Sequence, residues 1–211
     1  MPDTLTPIES RILGSLAEKQ LTTPEYYPLT LNALINACNQ KNNRDPVMSL
    51  SESDVSTALE HLRDRNLVYV YYGSTSRVPK YKHMLPTYYE LDPGETAVMA
   101  VLMLRGPQTL GELRERTGRM HEFSGLDEVN QVLQALTTRE DPLVQRLDRL
   151  PGQKDARYAH LLSGPIDTEA LAAALPARPA ASESTNDRLT RIEAELAELR
   201  EAFAEFRKQF E

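Results

Sequence analysis

The sequence predicts a mostly helical α+β chain whose strands are confined to small hairpins, and three observations carry that expectation. Two stretches each give three helix signals and then a two-stranded ribbon, in the same order. Thr6-Pro7-Ile8-Glu9 and Asp92-Pro93-Gly94-Glu95, 86 positions apart, both place an N-cap oxygen, a proline at the first helical position and a glutamate three residues after the cap. From Leu189 to Phe210 the chain closes on an unbroken heptad of apolar residues.

The internal match extends well beyond the caps. Leu29-Thr30-Leu31-Asn32-Ala33-Leu34 aligns with Gln108-Thr109-Leu110-Gly111-Glu112-Leu113 at offset 79, so the second copy has lost seven residues before its second helix. Val55, Ala58, Leu59 and Leu62 align with Val129, Val132, Leu133 and Leu136 at offset 74, and Leu67-Val68 answers Leu143-Val144 at offset 76. Length changes fall in loops while apolar spacing is kept, as in a duplicated domain. Helix, helix, helix, hairpin within about 80 residues is the order of a winged helix. The expected organisation is a winged-helix domain at 1–91, a second at 92–164, a short helix and linker at 165–186, and a coiled-coil helix at 187–211.

In the first copy, helix 1 is expected from Thr6 to about Lys19, with Ile8, Ile12, Leu13 and Leu16 on one face. Helix 2 starts at Thr30 and buries Leu31, Leu34, Ile35 and Cys38. With no basic partner or ligand spacing beside it, Cys38 reads as a small core residue. The loop from Asn39 to Leu50 is long for a helix-turn-helix connection, and long ordered loops often carry function. Lys41 and Arg44 are candidates for phosphate contacts, and Asn42 and Asn43 for base edges or backbone groups. A solvated loop in which Asn43 and Asp45 cap turns is the competing reading.

Helix 3 opens with Ser51-Glu52-Ser53-Asp54, a short-acid capping box, and its outer face carries Glu52, Asp54, Ser56, Thr57, Glu60, His61, Arg63 and Asp64, of which Ser56, Thr57 and His61 can donate to bases. Carboxylates repel phosphates, which argues against ordinary helix-in-groove readout. The hairpin that follows is better suited. Strands from Leu67 to Tyr72 and from Lys80 to Leu85 put Arg77, Lys80, Lys82 and His83 on a wing beside Tyr71, Tyr72 and Tyr81. Tyrosines packing the sheet and lysines protecting an edge strand would produce the same pattern.

Two segments of the first copy are more particular. Leu21-Thr22-Thr23-Pro24-Glu25-Tyr26-Tyr27-Pro28-Leu29-Thr30-Leu31-Asn32-Ala33-Leu34 and Ala37-Cys38-Asn39-Gln40-Lys41-Asn42-Asn43-Arg44-Asp45-Pro46-Val47 resemble the bacterial YceH family of uncharacterised proteins, and the resemblance spans nearly the whole chain. It implies a tandem winged-helix fold and supplies no activity, cofactor or catalytic residue.

In the second copy, Thr109 to Thr117 ends at Gly118 with Arg114, Arg116 and Arg119 around it, and a third helix runs from about Leu126 to Arg139. A short helix over Thr168 to Leu175 precedes the linker Pro176-Ala177-Arg178-Pro179-Ala180-Ala181-Ser182-Glu183-Ser184. Beyond it, Leu189, Ile192, Leu196, Leu199, Phe203, Phe206 and Phe210 alternate by three and four, starting from Asp187 as cap. In a parallel dimer Arg188 faces Glu193 and Glu195 faces Arg200 across the seam, both attractive, so a homodimer through this helix is expected. A higher oligomer or a helix docked on the domains remains the alternative.

Composition sets bounds. The 211 residues carry 24 basic and 31 acidic side chains, a net charge of −7. The two globular stretches, with 9 basic against 10 acidic and 9 against 11, lack the broad basic excess that phosphate neutralisation favours, so DNA contact must come from local patches. No run reaches the roughly 20 apolar residues of a membrane span, and no signal-peptide pattern opens the chain. One cysteine precludes an internal disulfide, and a cytoplasmic protein is expected. His61, His83, His121 and His160 fall on separate elements, with no metal-ligand spacing, phosphate-cradling glycine motif or nucleophile elbow. The expectation is a non-enzymatic protein without cofactor or metal, DNA-associated through the first wing and the 39–45 loop. A protein-interaction scaffold is the alternative partner class.

Overall fold

The structure, a computed structural model, describes residues 4–73, 78–149 and 155–166. Its element order repeats. The first copy contains α1 (Pro7–Thr22), a 3-10 turn (Pro24–Tyr26), β1 (Leu29–Thr30), α2 (Leu31–Cys38), α3 (Glu52–Asp64), β2 (Val68–Tyr71) and β3 (Lys80–His83). After a short α4 (Leu85–Tyr89), the second contains α5 (Pro93–Arg105), β4 (Gln108–Thr109), α6 (Leu110–Thr117), α7 (Leu126–Thr138), β5 (Val144–Leu147) and β6 (Arg157–His160). The result is a mixed α+β fold of helices and two small antiparallel sheets.

Capping explains where the helices begin. Thr6 and Glu9, Asp92 and Glu95, and Thr109 and Glu112 form complete capping boxes, while Ser51 achieves the same with Asp54. Gly106, at φ 67, stops α5 in a conformation that glycine adopts without steric penalty. Each sheet has a third strand beyond the expected hairpin. The orders are β1-β3-β2 and β4-β6-β5, with Leu29 opposite Tyr81 in one and Gln108 opposite Tyr158 in the other. These extra strands have two residues each and run straight into the threonine caps of α2 and α6, so no alternation betrays them in sequence.

The core is one continuous apolar cluster drawing on both copies. Its axis is the packing of α1 against α5, where a Cβ on Gly14 would lie 2.9 Å from Leu104 Cγ and 3.1 Å from Met103 Cβ. Cys38 is fully buried, in agreement with its reading as a core residue. Helix α1 departs from a simple amphipathic helix: every residue from Glu9 to Glu18 is buried, polar ones included. The buried charged groups have partners inside the fold, whereas Ser10 Oγ is enclosed without a hydrogen-bond partner among the described residues. Glu9 sits near His61 and Arg65, Arg11 donates to the Cys38 and Pro46 carbonyls, and Glu18 pairs with Arg44.

Candidate functional site

The loop after α2 is a built structure. Arg44, 5% exposed, donates through Nε and Nη2 to the Ala37 carbonyl at 3.1 and 2.8 Å, and through Nη1 to the Asn43 carbonyl. Its fork also takes Glu18, with Nη1 to Oε1 at 3.2 Å and Nη2 to Oε2 at 2.7 Å. Burial alone would raise the Glu18 carboxyl, but the Arg44 fork overrides it and holds the group below its ordinary range. Arg11 reaches the same loop from beneath, donating to Pro46 O at 2.5 Å. Asn39 closes the loop by exchanging two 2.8 Å hydrogen bonds with the Leu50 backbone.

Arg44 therefore does not act as a phosphate contact: its guanidinium is spent inside the fold. Nor is Asn43 simply a turn cap. At φ 61 it turns its amide oxygen to accept from Arg105 at the end of α5, while the Asp45 N–H donates to Leu104 O at 2.9 Å. The loop of the first copy thus docks on the second.

Between them lies a cleft of about 730 Å³ lined by both copies, including Lys19, Gln40, Lys41, Asn42, Asn43, Arg105, Arg116 and Arg119. Lys41, Asn42 and Asn43 are exposed there. Burial lowers the Arg105 pKa, with smaller contributions from the neighbouring Arg116 and Arg44 charges that Glu18 and Asp45 oppose.

The ribbon β2–β3 presents a different surface. Its register sets Tyr69 opposite Lys82 and Tyr71 opposite Lys80. Tyr69 is 61% exposed, and Tyr71, Tyr72 and Lys82 are exposed as well. Neither lysine has a hydrogen-bond or ion-pair partner among the described residues. The inner face carries Val68, Tyr81 and His83, and His83 is 1% exposed. Its placement among the DNA-contacting residues is corrected accordingly: the alternation of the strand turns it into the core. Burial, with a smaller contribution from Lys82, lowers its pKa to about 4. Its Nδ1 accepts from the Leu85 N–H at 3.3 Å, the His83 backbone N–H donates to Tyr27 Oη at 2.8 Å, and burial pushes the Tyr27 phenol up. Arg77, and the seam residues Leu189, Ile192, Leu196, Leu199, Phe203, Phe206 and Phe210, lie outside the described residues.

Of the predicted nucleic-acid residues, then, Lys80 and Lys82 share the outer ribbon face, Lys41, Asn42 and Asn43 share the cleft, and Arg44 and His83 are interior. Comparison with known proteins matches residues 5–153 to the family model described as protein of unknown function, DUF480. The chain belongs to the DUF480 family. Similar proteins are a UPF0502 protein of Citrifermentans bemidjiense, 52% identical over 197 residues that cover 93% of this chain and 90% of the relative. Another, from Geobacter sulfurreducens, is 49% identical over 216 residues and covers 98% of each chain. A third, from Geotalea daltonii, is 55% identical over 170 residues, covering 81% of this chain and 78% of its own.

In this family member, sequence reasoning missed a second repeat inside the first. Lys80-Tyr81-Lys82-His83 and Arg157-Tyr158-Ala159-His160 stand 77 positions apart and occupy equivalent strands. His83 lies opposite Val68 and His160 opposite Val144, and burial lowers both imidazoles to about 4. His83 Nε2 and His160 Nδ1 are enclosed with no hydrogen-bond partner among the described residues. The shared Tyr-x-His spacing was the available signal. The outer faces have diverged: the positions matching Tyr71 and Lys82 are Leu147 and Ala159, both buried, and Arg157 is tied to Glu112 at 2.8 Å. Among the described residues no cluster of three metal-ligating side chains occurs.

Proposed function

We propose that each copy is a winged helix and that the protein is a non-enzymatic, dimeric DNA-associated regulator that grips the phosphate backbone with the outer face of its first ribbon. The observation that carries this reading is the register of exposed Tyr69 and Tyr71 with Lys82 and Lys80 on one solvent face. Exposed Lys82 and half-exposed Lys80 have no side-chain partner among the described residues and are available for phosphate, and flanking tyrosines add hydroxyl donors and apolar surface against sugars. The second ribbon lacks this face, so the contact belongs to the first copy. The 39–45 loop is held instead against α1 and α5, and its arginine is structural. Dimerisation through the 189–210 heptad would bring two such ribbons to one duplex, the arrangement that reads a two-fold site.

A protein-interaction scaffold is the second reading, favoured by the exposed carboxylates Glu52, Asp54, Glu60 and Asp64 on α3. Selection of fragmented genomic DNA on the purified full chain, at low and near-physiological salt, separates the two. Retention at the higher salt with a shared sequence supports the regulator. Retention of no DNA at either salt transfers the function to the scaffold, whose partner must then survive nuclease treatment in a pull-down.

A further inference from the structure

We propose that the cleft between the two copies binds a small anion carrying two or more phosphates, held directly by Lys41 and Arg119 with Lys19, Arg105 and Arg116 around them. Five cations line the cavity against two carboxylates, Glu18 and Glu115, and Glu18 is already taken by Arg44. Among the described residues neither the Lys41 nor the Arg119 side chain has a hydrogen-bond or ion-pair partner, and both line the cavity. Cations at helix C-termini often serve only to cap carbonyls, and α1, α5 and α6 all end at this cleft. Here the carbonyls have other donors. Lys19 O accepts from the Thr23 N–H and hydroxyl, Leu104 O from the Asp45 N–H, and Thr117 O from the Met120 and His121 N–H groups. Lys19 also lies 3.5 Å from Glu18, Arg116 3.6 Å from Glu112, and Arg105 donates to Asn43, so the positive charge left facing the cavity without a partner among the described residues is that of Lys41 and Arg119.

The dimensions select the ligand. A cavity of about 730 Å³ lies within the roughly 300–1,000 Å³ of small-molecule sites. Several closely spaced cations suit an anion of matching charge density, and arginine favours phosphate by its forked donors. The amides of Gln40 and Asn42 add neutral donors at the rim. The ribbon lysines do not line this cavity, so the inference stands or falls separately from DNA binding.

Inorganic tripolyphosphate is the probe, with thermal unfolding and calorimetry of the full chain at matched ionic strength. The expected result is a rise in melting temperature with tripolyphosphate and none with sodium chloride. Lys41→Ala with Arg119→Ala should weaken the affinity by at least about tenfold while leaving the ligand-free melting temperature unchanged, since both side chains are exposed. Lys80→Ala with Lys82→Ala should leave tripolyphosphate binding intact. No stabilisation, equal affinity in the Lys41/Arg119 variant, or displacement of tripolyphosphate by a duplex oligonucleotide at equal phosphate concentration would each overturn the proposal. Displacement would assign the cations to a nucleic-acid track instead.

Discussion

Arg44 and Glu18 form a two-pronged ion pair, at 3.2 and 2.7 Å, that anchors a surface loop to the interior of α1. The Arg44 side chain has no exposed surface and Glu18 retains only 11%. Removing one partner strands the other charge in the fold. Arg44→Ala should lower stability by about 3–5 kcal/mol, measured by urea denaturation, and Arg44→Lys should rescue little of it because a single ammonium cannot reproduce the fork. Combining Arg44→Ala with Glu18→Leu should recover part of the loss; a double variant as unstable as Arg44→Ala would show that the loop depends on the carbonyl contacts alone.

Gly14 is set by contact rather than by backbone angle. Replacing glycine by alanine inside a helix ordinarily gains up to about 1 kcal/mol. At Gly14 the added Cβ meets Leu104 Cγ at 2.9 Å, a branch point that cannot swing aside. Gly14→Ala should destabilise by about 1–3 kcal/mol in thermal unfolding. Gly14→Ala with Leu104→Ala should show a favourable coupling between the two sites in a double-mutant cycle.

Acid should loosen the protein through its buried imidazoles. His83 falls from 6.5 to about 4 on folding, so the unfolded chain binds the extra proton between those values. The stability that neutral His83 contributes is complete above pH 6.5 and is lost as pH falls toward 4, by on the order of 2 kcal/mol at pH 5. His160 acts with the same sign. Denaturation midpoints at pH 7 and pH 5 check this, with His83→Gln expected to reduce the difference. An unchanged difference would place the pH dependence elsewhere.

Lys80→Ala with Lys82→Ala should weaken DNA binding across sequences and reduce the steepness of its salt dependence by about two. Fluorescence anisotropy over a salt series reads both. The fold should be unaffected because neither lysine has a partner among the described residues.

At equal concentration the full chain should sediment as a dimer and a chain ending before Asp187 as a monomer. The same oligomeric state for both chains would remove the heptad from the assembly.

Much of the architecture is legible in the sequence because repeated caps and apolar spacings are local signals. Pro7 and Pro93, Thr30 and Thr109, and the apolar sets of α3 and α7 all stand where the sequence reading puts them. The short strands β1 and β4 are not legible, since two residues carry no period. The buried polar residues of α1 escape for another reason. Amphipathicity assigns Arg11 and Glu18 to solvent, whereas packing of the loop and of α5 closes over them. Residue type alone cannot tell a cation on the surface from one spent in the core. Alternation along β3 was enough to separate Lys82 from His83; for Arg44 only tertiary contact decides.

The docking of Asp45 on Leu104, the Arg105 bond to Asn43, and Gly14 against α5 together carry an evolutionary consequence. A freshly duplicated domain can lose either copy and survive. Where one copy's loop is completed by the other copy's helix, and the glycine at their contact leaves no room for a side chain, that freedom is gone. Each later change on either side is judged in the presence of both, and the pair is inherited as a single selectable object.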